Sequence, residues 1–553
     1  MNKLGRLIRN ELIKKTKQPS TIILAAIFIV ICTITPFIIK LSQYDYYNDY
    51  DPIQSEIENY TNRYQWVKEG QNNIELPDYI INQYDDVINF LNKFIGKDIT
   101  NDDWRFNIIT EINNTIQSNY VIGLILNEKI NLADKEQLQY LEDPSGLIYQ
   151  AQEINKEELQ EIFDENQAHI EKMTKIIEVN DYTYYISSQI DSAKIEIESL
   201  DKQLVVLKEK QSKTPSKETE SEIAFIESQL EYVKGALIIH EFRLSNSIPL
   251  DGDWKDKTLK TLDKTLNEIK STKDQIRSMR ESDNDNYYDY DGLTSEYRIK
   301  INEKILVELT NKVDVYWESI NNNTPEMDVV SSSRSSVQNY LSFTIFSAII
   351  ALFIAASMVS GEFSTKTINM LVIRPVKRWK ILTAKYITVL IFAYGVYLIG
   401  LLGYMLSTGI SLGFADFAYP YMFAGNGTVH NINFFVYMLL KVLMHSSNIV
   451  FLVTLVFMMS TLTKNTALSA ITGMGVYFFS SIATSIIAFI APKLIHVLKY
   501  TFIPYVDLNN LTSDQGNMMS YIFDPTYGMI HLFVLSAIMF AISLAVFNKR
   551  DIK

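Results

Sequence analysis

The chain has 553 residues, a formal net charge of −13 and a single cysteine. The charge asymmetry along the chain reads as a topology signal rather than a nucleic-acid signal, and one cysteine excludes an internal disulfide. A mean hydropathy of +0.01 hides two unlike parts. Residues 41–335 hold 57 acidic and 31 basic side chains, a balance of −26, and the rest of the chain holds 7 and 20, a balance of +13.

At the start, Leu4, Leu7, Ile8 and Leu12 share one helical face and Arg6, Arg9 and Lys14 lie elsewhere. That pattern predicts an amphipathic helix in a membrane interface. The run Thr21–Ile39 is long and apolar enough to cross a bilayer about 30 Å thick. It lacks a small-residue cleavage site and is expected to stay as an anchor. Cys32 lies within it.

The acidic insert then runs from 41 to 335 with no apolar stretch of spanning length. Tyr44–Asn180 shows short helical patterns and is expected to form a helical base. Ile186, Ile190, Ala193, Ile197, Leu200, Leu204 and Leu207 alternate steps of four and three, as do Ile223, Ile226, Leu230, Val233 and Leu237. The polar turn Lys210–Glu218 between them predicts an antiparallel coiled-coil hairpin. Leu259, Leu262, Leu266, Ile269 and Ile276 predict a third helix, and Ile301, Ile305 and Leu309 a fourth. Strand signals are scarce. Asp283–Gly292 is rich in carboxylates, but Arg298 stands where a calcium loop of the EF-hand type needs its last carboxylate. It reads as a solvated turn, and no metal site is expected.

Five further spans are predicted at Tyr340–Val359, Leu382–Met405, Phe434–Met459, Ala467–Ile490 and Met529–Phe547. Lys and Arg concentrate before the first span, after the second, between the fourth and fifth, and at the C-terminus. Positive flanks mark the cytoplasmic side, which places both termini inside and the insert outside a cell membrane. The expected fold is an all-α membrane protein with parts at 1–40, 41–335 and 336–553. Its six spans follow an interfacial helix and enclose a large helical, coiled-coil external insert. Inside the fourth span, Lys441, His445 and Asn448 fall on one helix face. Ionisable groups at membrane depth line a cavity or meet a partner. Two readings stay open: a polar translocation path or dimer seam, or a snorkelling Lys441 with His445 bonded to another helix.

No phosphate-cradling glycine loop, zinc motif or nucleophile elbow occurs, so no enzyme constellation and no cofactor is expected in this chain. The informative motif is the basic segment 361–385. It holds Glu362, Thr367 five positions on, an apolar stretch, then Pro375, Arg378 and Lys385. In these residues, in the interfacial helix and in the span order, the chain resembles permeases of the type-2 ABC exporter family. Lys366 departs from the glycine usual there, and the insert is far larger than the family's short loop.

The resemblance implies that Glu362, Thr367, Arg374, Pro375, Arg378 and Lys385 form a coupling loop. Two copies of a separate ATP-binding subunit, which would carry ATP and Mg, would dock on it. It further implies a second permease copy or a paralogue as dimer partner, alongside membrane lipid. Arg378 and Lys385 would meet acidic groups on the partner or lipid phosphates. Antimicrobial peptides, hydrophobic drugs and lipids are the plausible cargoes. Two other classes fit the layout: a non-ATP-driven scaffold of the phage-infection or type VII secretion kind, and a sensor whose acidic insert binds a cationic peptide. Mechanical extruders carry four spans, against six here.

Overall fold

In the computed structural model the described residues are 3–48, 51–69, 78–101, 103–130, 141–144, 146, 155–281, 294–329, 332–365, 376–425, 427–490, 494–512 and 518–549. The calcium-like stretch Asp283–Gly292 lies outside them, as do Lys366, Thr367, Arg374 and Pro375. The chain divides into two compact units. One joins Met1–Ser42 to Lys264–Lys553, and the other is Gln43–Asp263.

The described secondary-structure elements of the unit Gln43–Asp263 are all helices. It contains α3 (Pro52–Glu69), α4 (Asp78–Leu91), α5 (Trp104–Leu126), α6 (Lys156–Val179), α7 (Tyr182–Lys213), α8 (Lys217–Ser245) and the start of α9 (Trp254–Glu281). Short polar side chains start these helices. Asp103, Asn155, Asp181 and Ser216 each accept a hydrogen bond from a first-turn backbone N–H. One core gathers Val87, Phe90, Phe94, Trp104, Ile108 and Ile112 with Met173 and Ile177. Helices α7 and α8 bury a shared seam of Ala193, Leu200, Ile226, Leu230 and Val233, backed by Ile197, Leu204, Leu207 and Leu237. Lys194 pairs with Glu241 at 3.3 Å and Lys208 with Glu227 at 2.8 Å, so the two helices run antiparallel. Past α8, buried Arg243 meets buried Asp256 at 2.8 Å, and Lys260 meets the same carboxylate at 3.0 Å.

The other unit carries six helices long and apolar enough to cross a membrane: Pro19–Leu41, Ser333–Ser364, Arg378–Leu412, Phe434–Thr463, Thr466–Ile487 and Pro525–Lys549. The protein is a multi-pass, all-α membrane protein at this level. All six fall on the predicted runs. The first begins helix α2 (Pro19–Asn48), preceded by α1 (Lys3–Thr16). The second comprises α11 (Ser333–Gln338), a 3₁₀ turn and α12 (Thr344–Ser364). The rest are α13 (Arg378–Leu412), α14 (Phe434–Thr463), α15 (Thr466–Ile490) and α16 (Pro525–Lys549). Their outward faces are apolar: Ile22, Ile27 and Ile38 on α2, Leu402 and Leu406 on α13, and Leu439 and Leu443 on α14 are exposed. Such a girdle suits hydrocarbon rather than water.

Inside, α12 and α14 are the most buried spans and supply Ala351, Ala355, Leu452, Val453 and Val456 to one core. Helix α2 joins that core through Phe28 and Cys32. Gly400 and Gly403 of α13 permit the approach. A Cβ at Gly400 would stand 2.7 Å from the Phe28 ring, and one at Gly403 2.7 Å from the Thr33 methyl.

Helix α10 (Ser295–Asn321) packs with this unit, where Ile301, Tyr297 and Ile305 join its core. It rests on an antiparallel hairpin of β1 (Tyr421–Gly425) and β2 (Thr428–Ile432), with Tyr421 opposite Ile432. The hairpin is a finding the helical periodicities do not contain. Its signal is the dipeptide Asn426-Gly427 between β-forming residues, which favours a two-residue hairpin turn. Gly427 takes the positive φ of 73° that such a turn demands.

Candidate functional site

The site grows from the last turn of α12. Glu362 sits in its last turn and is buried to 6% exposure. Lys385 lies two turns into α13 and is 1% exposed. The Lys385 ammonium meets the Glu362 carboxylate at 2.7 Å and Glu11 of α1 at 3.1 Å. Lys14 of α1 reaches the same Glu362 oxygen at 3.2 Å. Lys15, also buried, donates to the Ser357 hydroxyl at 3.2 Å and to Gln18 at 3.3 Å. Burial holds the Lys15 amine below its ordinary pKa, with the charges of Lys385 and Lys14 acting in the same direction. Three lysines and two carboxylates thus join α1 to the end of one span and the start of the next.

The expected role for Lys385, reaching outward to a partner or to lipid, is taken up internally by Glu362 and Glu11. Glu362 is likewise committed. Arg378 is half-buried and its guanidinium lies 3.5 Å from the Asn548 carbonyl of α16. Thr367, Arg374 and Pro375 lie outside the described residues, so the ends of the motif are what the structure places.

At the opposite end of the same two spans lies a second ion pair, of a buried arginine and a half-buried aspartate, that sequence reasoning missed. Arg334 of α11 is fully buried. Its Nε donates to Asp416 at 3.0 Å, and its other nitrogens donate to the carbonyls of Pro420 and Pro325, each at 2.6 Å. Its backbone N–H donates to Asp416 at 2.8 Å. Nearby Glu326 is buried, and its pKa is pushed up to about 8 by that burial, with Asp328 adding to the shift against Arg334.

A raised carboxyl pKa means the folded state holds a proton that the unfolded chain releases. Stability from this group is therefore present at low pH and lost as pH rises towards 8. Between pH 6 and 8 the purified protein is expected to lose roughly 1 kcal/mol per pH unit from this one proton. Glu326→Gln should flatten that slope in thermal melts across the range. A slope unaltered by the substitution would refute the assignment.

Within α14, the predicted triad divides. His445 is buried and its Nε2 lies 3.1 Å from the Thr512 hydroxyl. Asn448 donates to the Val506 carbonyl. Both fasten the irregular segment between α15 and α16. Lys441 is half-buried, sits 5.5 Å over the Tyr437 ring, and lines a cavity of about 480 Å³. No cluster of metal-ligating residues occurs among the described residues.

Residues 304–553 match the family described as "Protein of unknown function (DUF2705)". The "Uncharacterized protein YhcI" of Bacillus subtilis is 30% identical over 247 residues, which cover 43% of this chain and 77% of that protein. The chain belongs to the YhcI family. The "Uncharacterized membrane protein YdbK" of the same organism is 46% identical over 63 residues, 11% of this chain and 26% of that protein. No solved structure matches. The family segment contains Arg334, Asp416, Glu362, Lys385 and the Lys441 cavity, whereas the unit Gln43–Asp263 precedes it.

Proposed function

We propose that this protein is the membrane-spanning permease subunit of an ATP-driven ABC exporter. It would work as a dimer of two copies, or with a paralogue, and two ATP-binding subunits would dock beneath the segment 361–385. In this reading both termini and that segment face the cytoplasm, and the insert, with its coiled-coil hairpin, stands outside. The cargo would be an antimicrobial peptide, a hydrophobic drug or a lipid.

The supporting observation is the Lys385–Glu362 pair. It closes the two ends of the family-like motif against each other in a buried ion pair. Through Glu11 and Lys14 it also ties that closure to α1. A force applied to the loop or to the interfacial helix would therefore pass directly into two spans, which is what coupling to a cytoplasmic motor requires. This chain has no phosphate-binding loop of its own, so ATP and Mg would belong to the docked subunit.

The test is co-purification of the intact chain with an ATP-binding subunit encoded beside it, followed by ATPase measurement. Arg378→Glu is expected to release that subunit and abolish cargo-stimulated hydrolysis while the chain stays folded. Unchanged co-purification and transport would sink the reading.

A further inference from the structure

The cavity beside α14 has an unusual charge arrangement. Lys441 contributes an ammonium whose nearest aromatic support is Tyr437, itself fixed by stacking on Tyr421 at 3.8 Å. Among the described residues no carboxylate lies within ion-pair distance of Lys441. The acidic group lining the same cavity, Glu308, already has partners. Lys312 approaches it at 3.4 Å and the Tyr521 hydroxyl donates to it. Among the described residues, Lys441 is therefore a charge without an ion-pair partner in a cavity of about 480 Å³.

The remaining walls mix the hydroxyls of Thr512, Ser520 and Thr526 with apolar side chains. Met444 and Leu511 line the inside, and Leu440 lines the cavity while standing 54% exposed. Leu439 and Leu443 continue that exposed apolar edge along α14. An ammonium in a partly dry site gains most from an anion that brings its own charge, and a flat ring face is a weak substitute. A mouth edged by leucines gains from an acyl or alkyl chain. The two demands meet in one kind of molecule.

We propose that this cavity binds an amphiphile with an anionic head, its phosphate or carboxylate on Lys441 and its chain along Leu440 and Met444. The assignment concerns this chain alone and needs no nucleotide or second subunit. Its test therefore stands or falls separately from the exporter reading.

The intact chain, delipidated in a neutral detergent, is titrated with short-chain phosphatidylglycerol, short-chain phosphatidylcholine and inorganic phosphate while thermal unfolding is followed. Phosphatidylglycerol is expected to stabilise the protein saturably, at concentrations about tenfold below the other two, the scale of one charge-assisted contact. Lys441→Gln should erase that preference. Met444→Trp, which fills the cavity and leaves the lysine in place, should abolish the saturable response. Equal effects of the two lipids, or a preference that survives both variants, would overturn the proposal. Lysine-dependent stabilisation by phosphate as strong as that by phosphatidylglycerol would also overturn it, because the chain would then contribute nothing.

Discussion

Lys385→Ala is expected to destabilise the protein by about 3–5 kcal/mol, the cost of breaking a buried ion pair from one side. The substitution does more than delete a charge. It leaves Glu362 and Glu11 facing one another in a site where, among the described residues, the remaining cation within ion-pair distance of Glu362 is the exposed Lys14. Two facing carboxylates in a buried setting repel, and α1 loses its anchor on α13. The measurements are thermal unfolding in detergent and trypsin cleavage after Arg6 and Arg9, which should accelerate as α1 lifts. Replacing both partners, Glu362→Gln with Lys385→Met, should restore much of the loss, because no buried charge is then left bare. Lys377→Ala, at an exposed position of the same segment, should fall within about 0.5 kcal/mol of the parent. A Lys385→Ala protein that melts like the parent would refute the buried-pair account.

The contrast between Lys377 and Lys385 shows what the sequence could and could not reveal. Six spans were legible because length and hydropathy are summed over about 20 residues and tolerate local noise. The α7–α8 hairpin was legible because a repeating seam imposes a period. Single charges carry no period. Lys385 stands in a run of six basic residues from Lys366 onward and reads as one more solvated lysine. Its partner Glu11 is 374 residues away.

A subtler signal was available. Only six carboxylates occur in residues 336–553: Glu362, Asp416, Asp507, Asp514, Asp524 and Asp551. Asp416 is the only charged residue between Leu412 and Phe434. Acids so rare in a membrane segment are the ones to search for buried cations. The β hairpin was missed for a different reason: ten residues with one Asn-Gly turn are easily lost between two strongly apolar helices.

The two ion pairs also explain each other's placement. Arg334 and Glu362 stand near the opposite ends of Ser333–Ser364, and Lys385 and Asp416 near the opposite ends of Arg378–Leu412. The 28 residues from Arg334 to Glu362 span roughly 40 Å at helical rise. These two spans are therefore braced at both ends by an ion pair. Between the braces, the Tyr340 hydroxyl donates to the Tyr397 carbonyl at 2.5 Å and the Thr344 and Tyr397 hydroxyls meet at 2.8 Å. Contacts at both ends and in between thus tie these two spans to each other along their length. In the proposed exporter, rearrangement would fall to the seams with other spans, such as the one beside Lys441.

The brace at Arg334 gives the second large expected effect. Arg334→Ala should cost about 3–5 kcal/mol, since it removes a buried guanidinium and strands Asp416 together with the carbonyls of Pro325 and Pro420. Arg334→Lys should recover little of it. A lysine keeps the charge but cannot hold a carboxylate and two diverging carbonyls with one planar fork. The loss should also change the pH response, because Arg334 is the cation that opposes the upward shift at Glu326. Without it the Glu326 carboxyl would be held above its present value of about 8, so the descending limb of stability should extend to higher pH. Thermal melts of the parent, Arg334→Lys and Arg334→Ala between pH 6 and 9 would show both effects. If Arg334→Lys melted like the parent, the three-point grip of the guanidinium would be structurally idle and the brace would reduce to simple charge pairing.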